Sequence, residues 1–179
     1  MSILRKLFRA TPIPTTDGAF SPSPLAIKLG TSTTTDYDGG AYAKPYVGPK
    51  NRVLMICTEE RNMTMANGKK FSTGNHPVEM GLPMLHLMNA GFEIDIVTPT
   101  GAPVAIEEWA MPADDADVKR LYRDHADTFA NPGSLADFVA HKMNGAAPYA
   151  AVFIPGGHGA MLGLPDNKNV GEVLYWAHE

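Results

Sequence analysis

Apolar residues along the chain fall into short runs that predict buried strands. Residues 52–57 are almost continuously apolar after Arg52, a pattern typical of a strand buried on both faces of a parallel sheet. Residues 93–97 alternate between polar and apolar side chains, and residues 150–154 form another apolar run, so both segments predict strands. The pattern therefore predicts an α/β fold built on a parallel sheet.

Helical periodicity lies between these strands. Pro77 suits the first position of a helix, His76 suits its N-cap, and apolar residues then recur at helical spacing up to Gly91. Pro83 interrupts this pattern and predicts a kink or a local break. Three further segments predict helices: residues 114–128, 135–142 and 170–178.

The segment before the first strand has a different composition. Residues 11–50 are rich in Pro, Thr, Ser and Gly and show no sustained periodicity, so we predict an extended N-terminal arm over residues 1–50. Tyr42 and Tyr46 predict that the end of this arm is fixed by packing. Residues 51–179 suffice for one hydrophobic core and predict one α/β domain.

Two features of this domain depart from a plain open sheet. Residues 102–148 contain two predicted helices between neighbouring strands, so they predict an insertion that forms a small extra lobe. The pattern yields only three or four strands, whereas open twisted sheets usually have five or more, and the last helix reaches Glu179 without a C-cap. We therefore expect the α/β domain to be incomplete at its C-terminus.

Charge and cysteine content exclude several functional classes. Fifteen Lys and Arg against nineteen Asp and Glu give a net charge of −4, and the basic residues are scattered, so the sequence has no nucleic-acid footprint. No apolar stretch has the length of a membrane span, and residues 1–10 lack the continuous apolar core of a signal peptide. A single cysteine cannot form an intramolecular disulfide. These features predict a cytoplasmic protein without membrane contact.

Glu79 is the candidate acid–base residue. It falls on the first turn of the helix that starts at Pro77, within a glycine-bearing loop-to-helix stretch, residues 71–79. A carboxylate there either accepts backbone N–H bonds and offsets the helix dipole, or takes part in catalysis. In a parallel sheet, this helix start lies at the edge where ligands bind. The residues alone leave both roles open.

A second candidate feature follows the last predicted strand. Gly156, Gly157, His158 and Gly159 allow close backbone approach and direct N–H groups toward an oxyanion or a substrate carbonyl. The alternative is a tight strand-to-helix turn without a ligand. A nicotinamide site over Gly157, Gly159 and Gly163 is disfavoured, because the spacing departs from the fingerprint and no acidic residue ends a following strand.

Cys57, the single thiol, is a weak candidate nucleophile. It lies inside the first apolar run and has no flanking glycine that would expose it on a sharp turn, so we interpret it as a buried structural residue. The histidines are individually weak as metal ligands, since spacing alone does not bring them together.

Several segments resemble the HchA branch of the PfpI/ThiJ superfamily, whose members are described as chaperones, as glyoxalase III and as protein/nucleic acid deglycases. These segments are residues 68–79, 89–93, 108–112 and 154–165, and the similarity extends from about Asp36 to the end of the chain, including residues 44–46. The resemblance implies a flavodoxin-like parallel sheet sandwiched by helices, a homodimer with a small extra lobe, and conversion of methylglyoxal to lactate without a required cofactor.

The resemblance also implies roles for individual residues. Glu79 matches a glutamate that hydrogen-bonds to a nucleophilic cysteine and shuttles a proton. Gly156 and Gly157 match the backbone that faces the substrate oxygen, and His158 adjoins them as a substrate-binding residue. The family places its nucleophilic cysteine and a following histidine on the next strand, after the last residue of this sequence, and Cys57 matches a non-catalytic position. The 179-residue chain alone is therefore expected to be inactive.

The family's zinc ligands, His, Glu and His, fall on Met88, Glu93 and His125. A thioether thus replaces one imidazole, and His86 points about 200° away around the helix from position 88. We therefore expect no tight zinc site.

Two functional classes follow. The first is a cysteine-dependent glyoxalase III or deglycase that acts on small aldehydes, such as methylglyoxal and glyoxal, or on glycated substrates, and that also holds unfolded proteins. The alternative is non-enzymatic: a chaperone-like binding module or a truncated remnant that binds clients through exposed apolar surface. An oxidoreductase is a third reading, which a co-purifying nicotinamide or flavin would support.

Overall fold

The computed structural model describes residues 9–179, whose strands form two sheets. In chain order the strands are β1 (Ile13–Pro14), β2 (Phe20–Ser21), β3 (Arg52–Ile56), β4 (Asn62–Thr64), β5 (Lys70–Ser72), β6 (Glu93–Thr98), β7 (Gly133–Ser134) and β8 (Tyr149–Phe153). The α-helices are α1 (Pro24–Gly30), α2 (Pro77–Asn89), α3 (Ala116–Asp124), α4 (Ala126–Ala130), α5 (Leu135–His141) and α6 (Lys168–His178). Single 3-10 turns cover Glu108–Ala110 and His158–Met161.

The main sheet is parallel throughout, in the order β7–β6–β3–β8. Strand β3 lies inside it, with Val53 opposite Ile94 of β6 on one side and Ala151 of β8 on the other. Its four consecutive buried residues after Arg52 have the composition of a strand covered on both faces. The predicted α/β fold with a parallel sheet flanked by helices is therefore confirmed.

Alternating side chains of β3 feed two separate hydrophobic clusters. Met55 packs with residues of α2, α3 and α4 on one face of the sheet. Leu54 and Ile56 pack with residues of α5 and α6 on the other face. Each fully buried side chain of this size contributes about 1.5–3 kcal/mol to the fold. The strand ends that carry the candidate site are thus held from both faces.

Helix α2 starts as the sequence predicts. His76 is its N-cap, Pro77 its first residue, and Glu79 its first-turn carboxylate. Of the kink or local break predicted at Pro83, the break is wrong, because the helix continues to Asn89, and the kink stays a prediction. Proline loses one backbone hydrogen bond there, but Met80 and Met84 on either side are fully buried, and this tertiary packing outweighs the local cost.

The helix predicted over residues 114–128 is divided. His125 ends α3 and precedes α4, with φ −106° and ψ 14° outside the helical region. Val118 and Leu121 of α3 and Phe129 of α4 all belong to the cluster around Met55. Packing against one core therefore accommodates the interruption. The limits of the insertion predicted for residues 102–148 stay a prediction.

The described part of the predicted arm, residues 9–50, contains β1, β2 and α1. Strand β2 pairs in parallel with β5, and β1, β2, β5 and β4 form the second sheet. Near its end, Tyr46 stacks on Phe92 with ring centroids 5.0 Å apart, and its N–H donates to the Ala90 carbonyl. Packing therefore fixes this end, as its aromatic residues predict; residues 1–8 of the predicted arm lie outside the described residues.

None of the helices within residues 9–179 combines the length and the apolar character needed to cross a membrane.

Candidate active site

Asn75 joins the chain segments that form the candidate site. Its side chain is completely buried; Nδ2 donates to the carbonyls of Thr58 (3.1 Å) and Ala105 (2.7 Å), and Oδ1 accepts from the Thr58 N–H (3.2 Å). Thr58 follows β3, and Asn75 precedes α2 by two residues. The amide therefore fixes the start of α2 to the end of the central strand. Sequence reasoning missed this role, although the position of Asn75 in a glycine-bearing loop before Pro77 was a usable signal.

The loop before α2 and the turn after β8 pack with their backbones in direct contact, and glycines make this possible. A Cβ on Gly157, whose φ is 122°, would lie 2.4 Å from the His76 nitrogen, and one on Gly159 would lie 2.8 Å from the Cα of Gly74. A real Cβ does not approach backbone atoms this closely, so both positions require glycine. The Gly159 N–H also donates to the Gly74 carbonyl (3.0 Å).

Glu79 lies directly against the Gly156 turn. The Glu79 side chain is exposed, and a Cβ built on Gly156 would come within 1.7 Å of its Oε2. The His76 N–H donates to the Gly156 carbonyl (2.8 Å), while the His76 Nδ1 accepts from the Glu79 N–H (3.5 Å). The structure thus brings together the carboxylate and the glycine turn that the sequence singled out separately.

The backbone N–H groups of Gly156 and Gly157 have no acceptor among the described residues. Free N–H groups beside a carboxylate can stabilise an oxyanion while the carboxylate exchanges its proton. The arrangement therefore has the parts of a carbonyl-binding corner.

His158 is engaged with a residue that sequence reasoning missed. Its Nδ1 lies 2.8 Å from Oε1 of Glu107, whose side chain is completely buried. Glu107 lies in an irregular segment before a short 3-10 turn, where no periodicity marks a position as buried. Its place 51 residues before His158 leaves no local signal for the pairing.

Cys57 does not reach this corner as a nucleophile. It is completely buried, its thiol lies 3.7 Å from the Met80 sulfur, and burial raises the pKa of the thiol. A neutral, enclosed thiol is a packing group, because the thiolate is the reactive form.

Two of the residues at the predicted zinc positions have other partners, and the third is a methionine where the resemblance implies a histidine. The carboxylate of Glu93 pairs with Arg52, the Nδ1 of His125 lies 3.1 Å from the Leu121 carbonyl, and Met88 supplies a thioether. Within residues 9–179, no three His, Cys, Asp or Glu side chains come together as metal ligands would.

Comparison with known proteins places this geometry in a family. The chain is 49% identical over 164 residues to "Protein/nucleic acid deglycase HchA" of Pseudomonas aeruginosa. The matched stretch covers 92% of this chain and 56% of that protein. The chain belongs to the HchA branch of the PfpI/ThiJ superfamily. The HchA deglycase of an Escherichia coli strain is 47% identical over 163 residues, 91% of this chain and 57% of that protein. The chain thus spans about half the length of the curated HchA relatives it matches.

The fold agrees with the HchA assignment. The crystal structure of a glyoxalase III from Candida albicans superposes with a TM-score of 0.56 over 73% of this chain and 53% of that chain, at 22% identity. At that identity the likeness shows the shared fold alone. No protein-family model matches the sequence.

Proposed function

We propose that Glu79, Gly156 and Gly157 form the acid–base and oxyanion-binding part of a cysteine-dependent site. The proposed activity is that of a glyoxalase III or deglycase, which converts small aldehydes such as methylglyoxal, or glycated substrates. The contact between Glu79 Oε2 and Gly156 carries the proposal, because it sets a carboxylate against a turn in which the N–H groups of Gly156 and Gly157 have no acceptor among residues 9–179. The similarity to HchA deglycases supports it. No cofactor enters the proposed chemistry.

The proposed first step is addition of a thiolate to the aldehyde carbon. A C–S bond forms, the carbonyl electron pair moves to oxygen, and the N–H groups of Gly156 and Gly157 stabilise the oxyanion. A proton relayed by Glu79 then gives the hemithioacetal. For methylglyoxal, internal redox rearrangement to a thioester and hydrolysis by water yield lactate and return the thiol.

The 179-residue chain is expected to be inactive alone. Its single cysteine is Cys57, which is enclosed in the core. Burial there raises the pKa of the thiol, so the reactive thiolate is disfavoured. Without an accessible thiolate, the corner formed by Glu79 and Gly156 has a proton carrier and N–H donors but no nucleophile.

Methylglyoxal consumption tests this proposal directly. The chain alone is assayed first, and then in a mixture with the portion of the Pseudomonas aeruginosa HchA outside the matched stretch. We expect no turnover by the chain alone and lactate formation in the mixture. Glu79→Gln should abolish that activity, whereas Glu60→Gln, another exposed carboxylate, should retain it. Turnover by the mixture that survives Glu79→Gln would contradict the assigned role of Glu79.

A binding module is the second proposed function, and the surface beside β8 favours it. Strand β8 ends the main sheet, so no described residue pairs with its outer edge. Leu174 and Tyr175 on α6 are 47% and 66% exposed. An unpaired edge beside apolar side chains is suited to holding extended, unfolded chain. Suppressed aggregation of a heated client enzyme, reduced by Leu174→Lys but not by Met161→Lys, would support this function; equal effects of both variants would contradict it.

Homodimer formation and a cytoplasmic location complete the proposal. Sedimentation analysis tests the first, and fractionation of cells that express the protein tests the second.

A further inference from the structure

Glu107 is a carboxylate enclosed by protein with an uneven set of hydrogen bonds. Its Oε1 accepts from the His158 N–H (3.0 Å), the His158 Nδ1 (2.8 Å) and the Thr73 hydroxyl (3.2 Å). Its Oε2 is buried and has no hydrogen-bond partner among residues 9–179. Burying a carboxylate with one bare oxygen is costly, so a purely structural anchor would be better served by an amide or a hydroxyl.

The contact fixes which nitrogen of His158 carries hydrogen. Oε1 of Glu107 already accepts from the His158 backbone N–H, so it is the acceptor of this contact as well, Nδ1 donates to it, and Nε2 keeps its lone pair. The His158 side chain is 48% exposed. The ring of Phe71 lies edge-on at 5.3 Å and that of Trp109 at 6.2 Å, so the imidazole is held on two sides.

Trp109 is itself fixed in place, because its Nε1 donates to the Ser72 carbonyl (3.0 Å). A buried carboxylate that sets the tautomer and orientation of an exposed imidazole is the arrangement by which histidine becomes an efficient base. His158 also follows Gly156 by two residues, and Gly156 is the residue that Glu79 touches.

We propose that His158 is a second acid–base group of the carbonyl-binding corner, with Glu107 as its positioning residue. In this role, which rests on the proposed aldehyde chemistry, Nε2 accepts a proton from the substrate adduct and returns it. The rearrangement of a 2-oxoaldehyde adduct to an acid derivative must move a proton away from one carbon and deliver one to its neighbour. With two acid–base groups at one corner, Glu79 transfers protons at the substrate oxygen and His158 transfers protons at the carbon atoms.

His141 supplies an internal control for the effect of the carboxylate. It is also exposed, and its Nδ1 lies 3.1 Å from a backbone carbonyl, that of Asp137. The two histidines therefore share an Nδ1 hydrogen bond but differ in the charge of the acceptor. A change at His158 that Glu107→Gln causes and that His141 does not share therefore reports on Glu107.

The first test needs no variant and no substrate. Nitrogen-15 NMR of the wild-type chain identifies the protonated nitrogen of each imidazole at a pH where the rings are neutral. We expect His158 to carry hydrogen on Nδ1 and none on Nε2. A His158 resonance pattern with hydrogen on Nε2 would overturn the proposal.

The second test measures the reactivity of Nε2 with diethyl pyrocarbonate, followed residue by residue by mass spectrometry. Nε2 attacks the probe's carbonyl carbon and displaces ethyl carbonate, which takes up the proton released from the imidazole and breaks down to ethanol and carbon dioxide. Glu107→Gln keeps an oxygen acceptor but removes the charge, so we expect acylation of His158 to slow about tenfold and that of His141 to stay unchanged. Equal rates at His158 in both proteins would overturn the proposal.

The third test uses the active mixture with the HchA segment. Glu107→Gln and His158→Asn should lower kcat at least tenfold with little change in KM, whereas His141→Asn should change neither. Unchanged kcat in the His158→Asn mixture would overturn the acid–base role. A mixture in which even the wild-type chain gives no lactate would count against the proposed function, while the tautomer and acylation results would still decide the Glu107–His158 pairing.

Discussion

The Oε2 atom of Glu79 occupies the space in which a side chain at Gly156 would begin, since a Cβ there would lie 1.7 Å away. The Glu79 carboxylate and a side chain at position 156 therefore cannot occupy this space at the same time. The placement of the proposed proton carrier therefore depends on the absence of a side chain at Gly156.

Gly156→Ala should displace the Glu79 carboxylate at small cost to stability. The clash is with the far end of an exposed, flexible side chain, so we expect a loss below about 1 kcal/mol in the free energy of unfolding. Gly157→Ala should cost about 2–4 kcal/mol, because its φ of 122° is strained for alanine and its Cβ meets backbone atoms of His76 and Gly74. Urea denaturation measures both values.

In the mixture with the HchA segment, Gly156→Ala should lower methylglyoxal turnover as strongly as Glu79→Gln does. If Gly156→Ala instead proves as destabilising as Gly157→Ala, the Glu79 carboxylate is held rigidly and the interpretation of a mobile proton carrier is wrong.

Asn75→Ala should destabilise the chain because it removes a buried amide that three backbone groups use. The carbonyls of Thr58 and Ala105 and the N–H of Thr58 would lose their partner, and we expect a loss of about 2–4 kcal/mol in the free energy of unfolding. Asn131→Ala is the matched control, since Asn131 is exposed and donates only to the Asp127 carbonyl. A difference below about 0.5 kcal/mol between the variants would contradict the proposal that Asn75 fixes the start of α2 to the end of β3.

Local patterns predicted the parts of the fold that depend on neighbours along the chain. The apolar run of β3, the N-cap at His76 and the first-turn position of Glu79 each follow from residues within one turn or strand. Strands β1 and β2 have two residues each, too few for an alternating pattern to appear. The contacts of Asn75 and Glu107 do not follow from neighbours along the chain, because Ala105 lies 30 residues from Asn75 and His158 lies 51 residues from Glu107.

The stability of the chain should depend on Asp95 in a defined pH range. Hydrogen bonds from Arg52, with a further one from the Tyr149 hydroxyl (2.6 Å), outweigh burial and hold the Asp95 pKa below its usual value. A depressed folded-state pKa stabilises the fold above the unfolded value of about 3.9, and this contribution is lost as the pH falls below it.

Asp95→Asn should therefore cost about 1 kcal/mol at pH 7, a figure that allows for solvent screening at a side chain that is 30% exposed. The difference from the wild type should stay constant down to about pH 5 and shrink below about pH 4. Asp117→Asn, which removes a more exposed ion pair with Arg120, should change stability by less than about 0.5 kcal/mol both at pH 7 and below about pH 4. A pH-independent cost of Asp95→Asn would refute the assignment.

Cys57 should react with thiol reagents only when the core opens. Its side chain is fully buried between β3 and α2, where it contacts Met80, and burial raises the pKa of the thiol, so both access and thiolate fraction oppose reaction. Labelling by dithiobis(nitrobenzoate), a disulfide that exchanges with free thiols and releases a coloured thiolate, should be slow in buffer and become fast across the urea unfolding transition. Cys57→Ala should cost about 1–2 kcal/mol through the small cavity it leaves, yet it should not change turnover in the mixture with the HchA segment. Rapid labelling of the native chain, or loss of turnover in a folded Cys57→Ala chain, would make Cys57 the nucleophile and remove the reason to expect inactivity from the chain alone.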